Sequence, residues 1–188
     1  MKTLGVLPWL TFVALPAQAA WDLDALMKSL AKHEGGRARF VETKNIALLD
    51  KPVVSSGELR YQPPARLEKR TLKPKPELMV LDGDHLLLER GKQKFNVRLP
   101  ELPEALAFVD SLRGTLSGDR ATLERNYKLR LDGNERRWTL DLLPNDQRMA
   151  AFVLRITFGG SGNQVEWIRY LQADGDSSTM TIEPVEGK

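Results

Sequence analysis

The chain has 188 residues, 28 of them Lys or Arg and 25 Asp or Glu, for a formal net charge of +3, and it contains no cysteine. Near-balanced charge with few aromatics excludes a nucleic-acid binder with a dominant positive field, and the lack of thiols excludes a disulfide scaffold and a cysteine-ligated metal site. The length suits one domain, large enough to hold a core without covalent staples.

The first segment reads as a leader. Lys2 supplies a positive start, Leu4 to Leu15 is uncharged and largely apolar, and Pro16 precedes Ala17-Gln18-Ala19. The small residues Ala17 and Ala19 suit signal-peptidase cleavage after Ala19. The apolar stretch, about 12 residues, is shorter than the roughly 20 a spanning helix needs. No cysteine follows to carry a lipid. The expectation is a cleaved signal peptide over 1–19 and a single mature domain over 20–188, soluble and outside the cytoplasm.

A short helix comes next. Asp22 is placed as its N-cap, and Leu23, Leu26, Met27 and Leu30 recur at i, i+3, i+4, i+7 before Gly35-Gly36 ends it. The period then changes to strands: RARFVETK, VVSSGELRYQ, ARLEKRTL, ELMVLDG, HLLLER and KFNVRL, with tight reversals at Pro63-Pro64 and Asp82-Gly83. A second helix opens at Pro103. Leu102, Ala105, Leu106, Val109, Leu112 and Leu116 form its apolar stripe, and Gly118 closes it. DRATLERN predicts one more helical turn. Strands return in YKLRLDG, RWTLDLLP, AAFVLRITF, VEWIRYLQ and STMTIEP, with a flexible loop expected at GGSGN.

Alternation assigns faces to the later strands. Trp138, Leu140 and Leu142 share one side, Phe152, Leu154, Ile156 and Phe158 another, and Tyr127, Leu129 and Leu131 a third. A sheet that is oily on one face must cover it, and only short helices are available. The predicted fold class is therefore α+β, mainly antiparallel: a half-open curved β-barrel whose concave apolar face is covered by short helices around a space.

Chemistry-bearing motifs are thin. His33 and His85 stand alone, without metal-ligand spacing, and GGSGN does not have the spacing of a nucleophile elbow. The DGD turns lack the remaining ligands of a calcium loop. Glu42, Glu58 and Glu68 have no spacing that brings them together. No catalytic residue, metal site or cofactor is assigned, and the protein is not expected to be an enzyme. The tract ARLEKRTLKPKPE is read first as an edge strand kept soluble by charge. Its Arg66, Lys69 and Arg70, with Lys73 and Lys75, are also candidates for contact with an anionic lipid head group or an acidic partner.

An ordered set of weak motifs resembles the LolA family of periplasmic carriers of outer-membrane lipoproteins. FVETK (Phe40 to Lys44), SGELRYQPPARLEKRT with Gly57, Leu59 and Pro64 in register, LMVLDGDHLLL, Leu142-Leu143-Pro144-Asn145 and TMTIEP occur in the family's order over nearly the whole mature chain. The resemblance implies a carrier in the periplasm of a Gram-negative bacterium, monomeric, with acyl chains held on the concave side. Carried onto this chain, the cleft residues are Phe40, Leu59, Leu106, Val109, Leu112, Trp138, Leu140, Leu142, Phe152, Leu154 and Ile156. Implied partners are lipoprotein, lipid or glycolipid acyl chains, an inner-membrane donor and an outer-membrane acceptor. The family's arginine before the aligned proline is replaced here by Pro63, and the aromatic that often ends that strand by Lys69 or Arg70. That departure marks a divergent branch with room for another lipidic cargo. The alternative reading is an envelope scaffold that holds a membrane protein complex through its sheet edge or basic strand.

Overall fold

The computed structural model describes residues 21–185, and the expected leader lies outside the described residues. In chain order the elements are α1 (Leu23–Leu30), β1 (Gly36–Asn45), β2 (Val53–Gln62), β3 (Arg66–Lys73), β4 (Glu77–Asp82), β5 (His85–Arg90), β6 (Gln93–Arg98), a 3-10 turn (Leu99–Glu101), α2 (Pro103–Ser117) and α3 (Arg120–Asn126). They continue with β7 (Tyr127–Asn134), β8 (Arg137–Pro144), α4 (Gln147–Ala150), β9 (Val153–Ser161), β10 (Gln164–Gln172) and β11 (Ser177–Pro184).

All eleven strands belong to one sheet in the order β6-β5-β4-β3-β2-β1-β11-β10-β9-β8-β7. Two antiparallel meanders meet where the first strand pairs the last, Phe40 opposite Ile182. β6 and β7 follow one another in sequence yet lie at opposite edges. The sheet is therefore not closed, and α2 and α3 carry the chain from one edge to the other. This is the half-barrel that alternation and scarce helix predict.

Local signals explain most boundaries. Asp22 caps α1, its Oδ1 accepting from the Ala25 N–H at 2.8 Å. Asp82 faces His85, so Gly83-Asp84 is a two-residue hairpin turn with Gly83 at positive φ. α2 ends at Gly118, whose left-handed backbone lets the Asp119 N–H return to the Gly114 carbonyl.

Three expectations are corrected. Gly159, Gly160 and Ser161 are not a flexible loop but the end of β9. A Cβ on Gly159 would lie 2.1 Å from the Trp167 ring, and one on Gly160 1.9 Å from the Gln164 carbonyl, so these glycines let rings and backbone close on the strand. β9 starts only at Val153, because Asp146 caps the short α4 through the Arg148 and Met149 N–H groups. Phe152 therefore precedes the strand. Finally, α2 has two covered sides. Val109 packs with Leu81 and Leu99, while Ala107, Ser111 and Thr115 are buried on another side. A Cβ on Gly114 would meet Leu123 of α3 at 2.7 Å, so close helix contact selects small residues there. Leu102 is an exposed cap residue, not part of the stripe.

Candidate functional site

Directly opposed residues of antiparallel strands share a face, so register defines the concave surface row by row. One row runs Leu131, Leu140, Phe158, Ile168, Met180, Glu42 and Ser55. The next runs Leu129, Leu142, Ile156, Tyr170, Ser178 and Lys44. Across β2–β6 the corresponding rows are Leu59, Lys69, Met79, Leu88 and Phe95, then Tyr61, Leu67, Leu81, Leu86 and Val97.

The two halves of this surface differ in cover. Over β7–β11, Leu26 and Leu30 of α1 and Leu123 of α3 are fully buried with Leu140, Leu142, Ile156 and Phe158. The space expected beneath the helices is thus occupied by the protein's own side chains in this conformation. Over β3–β6, α2 reaches only the row of Leu67, Leu81 and Leu86, through Ala105, Leu106 and Val109. The neighbouring row stays open: Phe95 is 48% exposed, Met79 38%, and Leu88 half-buried.

That open row ends on a buried polar group. Lys69 donates to Glu42 Oε2 at 2.5 Å, and the Ser178 hydroxyl donates to Glu42 Oε1 at 2.7 Å. Lys44 stands 3.6 Å from the same carboxylate, and the Lys69 ammonium lies 4.9 Å from the centre of the Phe40 ring. Tyr170, opposite Ser178, has a buried hydroxyl without a partner among the described residues. Burial raises the Glu42 pKa, but Lys69, Ser178 and Lys44 outweigh it, and the net result is below the ordinary carboxylate value. A depressed folded pKa means the pair contributes stability above the unfolded carboxylate pKa and loses it as pH falls through the folded one. Acid titration of unfolding free energy should therefore decline below the usual glutamate range, and Glu42→Gln should flatten that decline.

One side chain of α2 bridges it to two turns of the sheet. Arg113 donates through Nε to the Ala65 carbonyl at 3.2 Å and through Nη2 to the Gly83 carbonyl. It thereby joins the helix to the β2–β3 and β4–β5 turns at once.

The expected cleft residues separate into two groups. Phe40, Leu59, Leu106, Val109, Leu112, Trp138, Leu140, Leu142 and Ile156 lie on the concave side or on the helix over it. Phe152 and Leu154 do not: they are 54% and 46% exposed. Leu154 falls where the β9–β10 register shifts, which breaks the alternation that placed it beside Ile156. The basic tract is divided by the same geometry. Lys69 points into the concavity, whereas Arg66 pairs with Asp82 and Arg70 with Glu68 on the convex side. Sequence reasoning missed Glu42 as the partner of both Lys69 and Ser178, although Phe40 inside implies Glu42 inside and Leu67 inside implies Lys69 inside. It also missed Arg113, for which no local signal exists.

Comparison with known proteins matches residues 15–183 to the family described as outer membrane lipoprotein carrier protein LolA-like. The chain belongs to this LolA-like family. No curated protein matches it in sequence. Among solved structures, a LolA superfamily protein from Nitrosomonas europaea is 9% identical, with 90% of this chain and 96% of that one covered and a TM-score of 0.45. In the Pseudomonas aeruginosa MucA/MucB complex the similarity is 15% identity over 85% of this chain and 55% of that one, TM-score 0.46. For the lipoprotein LppX of Mycobacterium tuberculosis the values are 11%, 88%, 98% and 0.39. These likenesses concern architecture alone. Among the described residues of this LolA-like chain, no helix is long and apolar enough to cross a membrane, and no group of three or more His, Cys, Asp or Glu could hold a metal ion.

Proposed function

We propose that the protein is a periplasmic carrier that takes acyl chains of a lipoprotein or another lipidic cargo onto its concave face and moves them toward the outer membrane. The observation that carries this reading is the apolar concave surface, packed under α1–α3 on one side and open along Met79, Leu88 and Phe95 on the other. The open row is a point of entry, and deeper binding needs α2 to move.

The energetics allow such an exchange. A tail of about fourteen methylenes gains roughly 11 kcal/mol on burial, at about 0.8 kcal/mol each. Uncovering the buried Val109 costs about 1.5–3 kcal/mol, and the half-buried Leu106 and Leu112 cost less. The tail can therefore replace the helix side chains as cover for the sheet, with the Lys69–Glu42 group beside its polar junction.

Native mass spectrometry of gently purified protein should find bound lipid, and the delipidated protein should take up a fluorescent fatty acid. Protein that is always lipid-free and takes up no probe refutes the carrier; a single crosslinked protein partner in such cells points to a scaffold. Arg113→Ala removes the tie between α2 and the two turns. It should lower stability by about 1–2 kcal/mol and speed probe uptake severalfold in stopped-flow fluorescence.

A further inference from the structure

The exposed apolar side chains of this protein are concentrated at one end of the sheet. Antiparallel order brings the β1–β2 connection (46–52), the β3–β4 connection (74–76), the β8–β9 connection with α4, and the β10–β11 connection (173–176) to the same end. Leu48, Leu49, Val54, Leu72, Phe152 and Leu171 are all exposed there. The opposite end carries Leu102 and Val185, with charges of both signs: Asp82, Asp84, Asp132 and Glu135 and also Arg37, Arg66, Arg98, Arg136 and Arg137.

Leu48 is the extreme case, 94% exposed. It is not a loose tip. The Leu49 N–H closes a turn on the Ile46 carbonyl at 2.9 Å, and the Ala47 N–H donates to Asp176 Oδ1 at 2.8 Å, which fixes this loop to the β10–β11 connection. The fold holds a leucine in water where burial elsewhere in the protein would gain free energy, and an isolated monomer has no use for that.

Charge identifies the occupant. Lys44, Lys51, Lys73 and Lys75 lie on the strand ends and connections around Leu48, Leu49 and Leu72. Lys51, Lys73 and Lys75 form no ion pair among the described residues, and Lys44 meets only Glu42. The acidic groups of this end are Asp50, in the same loop, with Asp146, Asp174, Asp176, Glu77, Glu89 and Glu124. All but Asp50 are engaged: Asp146 caps α4, Asp174 and Asp176 accept from backbone N–H groups, and Glu77, Glu89 and Glu124 pair with Arg90, Lys94 and Arg120. Exposed leucines flanked by Lys51, Lys73 and Lys75, whose ammonium groups have no ion-pair partner among the described residues, match the two layers of an anionic bilayer, acyl boundary below and phosphates above.

We propose that this end docks on an anionic phospholipid surface, with Leu48 and Leu49 entering the acyl boundary and the lysines meeting phosphates. The half-open row of Phe95, Leu88 and Met79 lies toward the same end, one row beyond the part that α2 covers. Docking therefore sets the point of entry close to the lipid. The use of docking for cargo exchange rests on the carrier reading; docking itself does not.

The test is flotation of the purified protein with vesicles of phosphatidylcholine alone and of phosphatidylcholine mixed with phosphatidylglycerol. The wild type should float with the mixed vesicles, and high salt should weaken this. The Leu48→Asp, Leu49→Asp double variant should bind about tenfold less. Lys51→Glu with Lys75→Glu should lose the preference for the anionic mixture. All variants should keep wild-type folding and fatty-acid uptake from solution, since these side chains face solvent. A wild type that floats with neither vesicle, or aspartate variants that float as well as the wild type, overturns the proposal. Loss of fatty-acid uptake in the wild type counts against the carrier reading instead.

Discussion

Lys69→Ala should destabilise the protein by about 3 kcal/mol, the low end of the cost of breaking a buried ion pair, because it strands the Glu42 carboxylate in the concave face. Lys69 itself is partly exposed, and Ser178 and Lys44 remain to serve Glu42, so the upper end is not reached. The lost cover over Phe40 adds to the cost. The double variant Glu42→Gln, Lys69→Met should recover most of the loss, since it removes the buried charge as well as its partner. The size of the acid response provides a second readout. In the wild type Glu42 titrates below its unfolded value, so acid removes stability. Without Lys69, burial is opposed only by Ser178 and Lys44, so the folded pKa moves up and the loss of stability in acid shrinks. Denaturant midpoints at two pH values measure both effects. A Lys69→Ala protein matching the wild type at neutral pH would show that the group is not a stabilising pair.

The sheet was largely legible because each strand carries its own signal. VVSSGELRYQ has alternation, a following Pro-Pro turn and a preceding Lys-Pro, and it became β2 over Val53–Gln62. The glycine run misled, because glycine marks both loops and close approach. Only the position of Trp167 over Gly159 decides between them, and that contact crosses from β10 to β9. The site was harder to read for the same reason. Glu42, Lys69 and Ser178 come from three strands, and no spacing within any one of them announces the meeting. Alternation alone gives their common face; the pairing order β3-β2-β1-β11 is what makes them neighbours. Gly57, between Lys69 and Glu42 on that face, leaves a gap in β2: it has no side chain, and a Cβ there would lie 2.0 Å from the Arg70 carbonyl oxygen. Charge read along the sequence as a patch is divided by strand pleating into one interior lysine and two convex arginines, Arg66 and Arg70.

Val109→Asp should have an effect at least as large as the loss of Lys69, and it probes the helix over the site. Val109 is 5% exposed against Leu81 and Leu99, and the one cation of α2, Arg113, is already held by the Ala65 and Gly83 carbonyls. An aspartate in that setting costs about 4 kcal/mol if α2 stays seated. Lifting the side of α2 that carries Val109 away from β4 and β5 is the alternative response: it exposes the small cluster around Leu81, while Ala107, Phe108, Leu112 and Leu116 still hold the helix to the larger core. Hydrogen exchange should accordingly accelerate in α2 while β8–β10 stay protected. Arg113 lies one turn further on the same face, and its loss also frees the helix. The two variants should nevertheless affect uptake oppositely. Arg113→Ala leaves the underside of α2 apolar, so an acyl tail can replace the lost contacts. Val109→Asp puts a charge where the tail would lie, so uptake of the fluorescent fatty acid should fall by an order of magnitude even though the helix is free. Equal uptake in both variants would mean that α2 does not cover the acyl site.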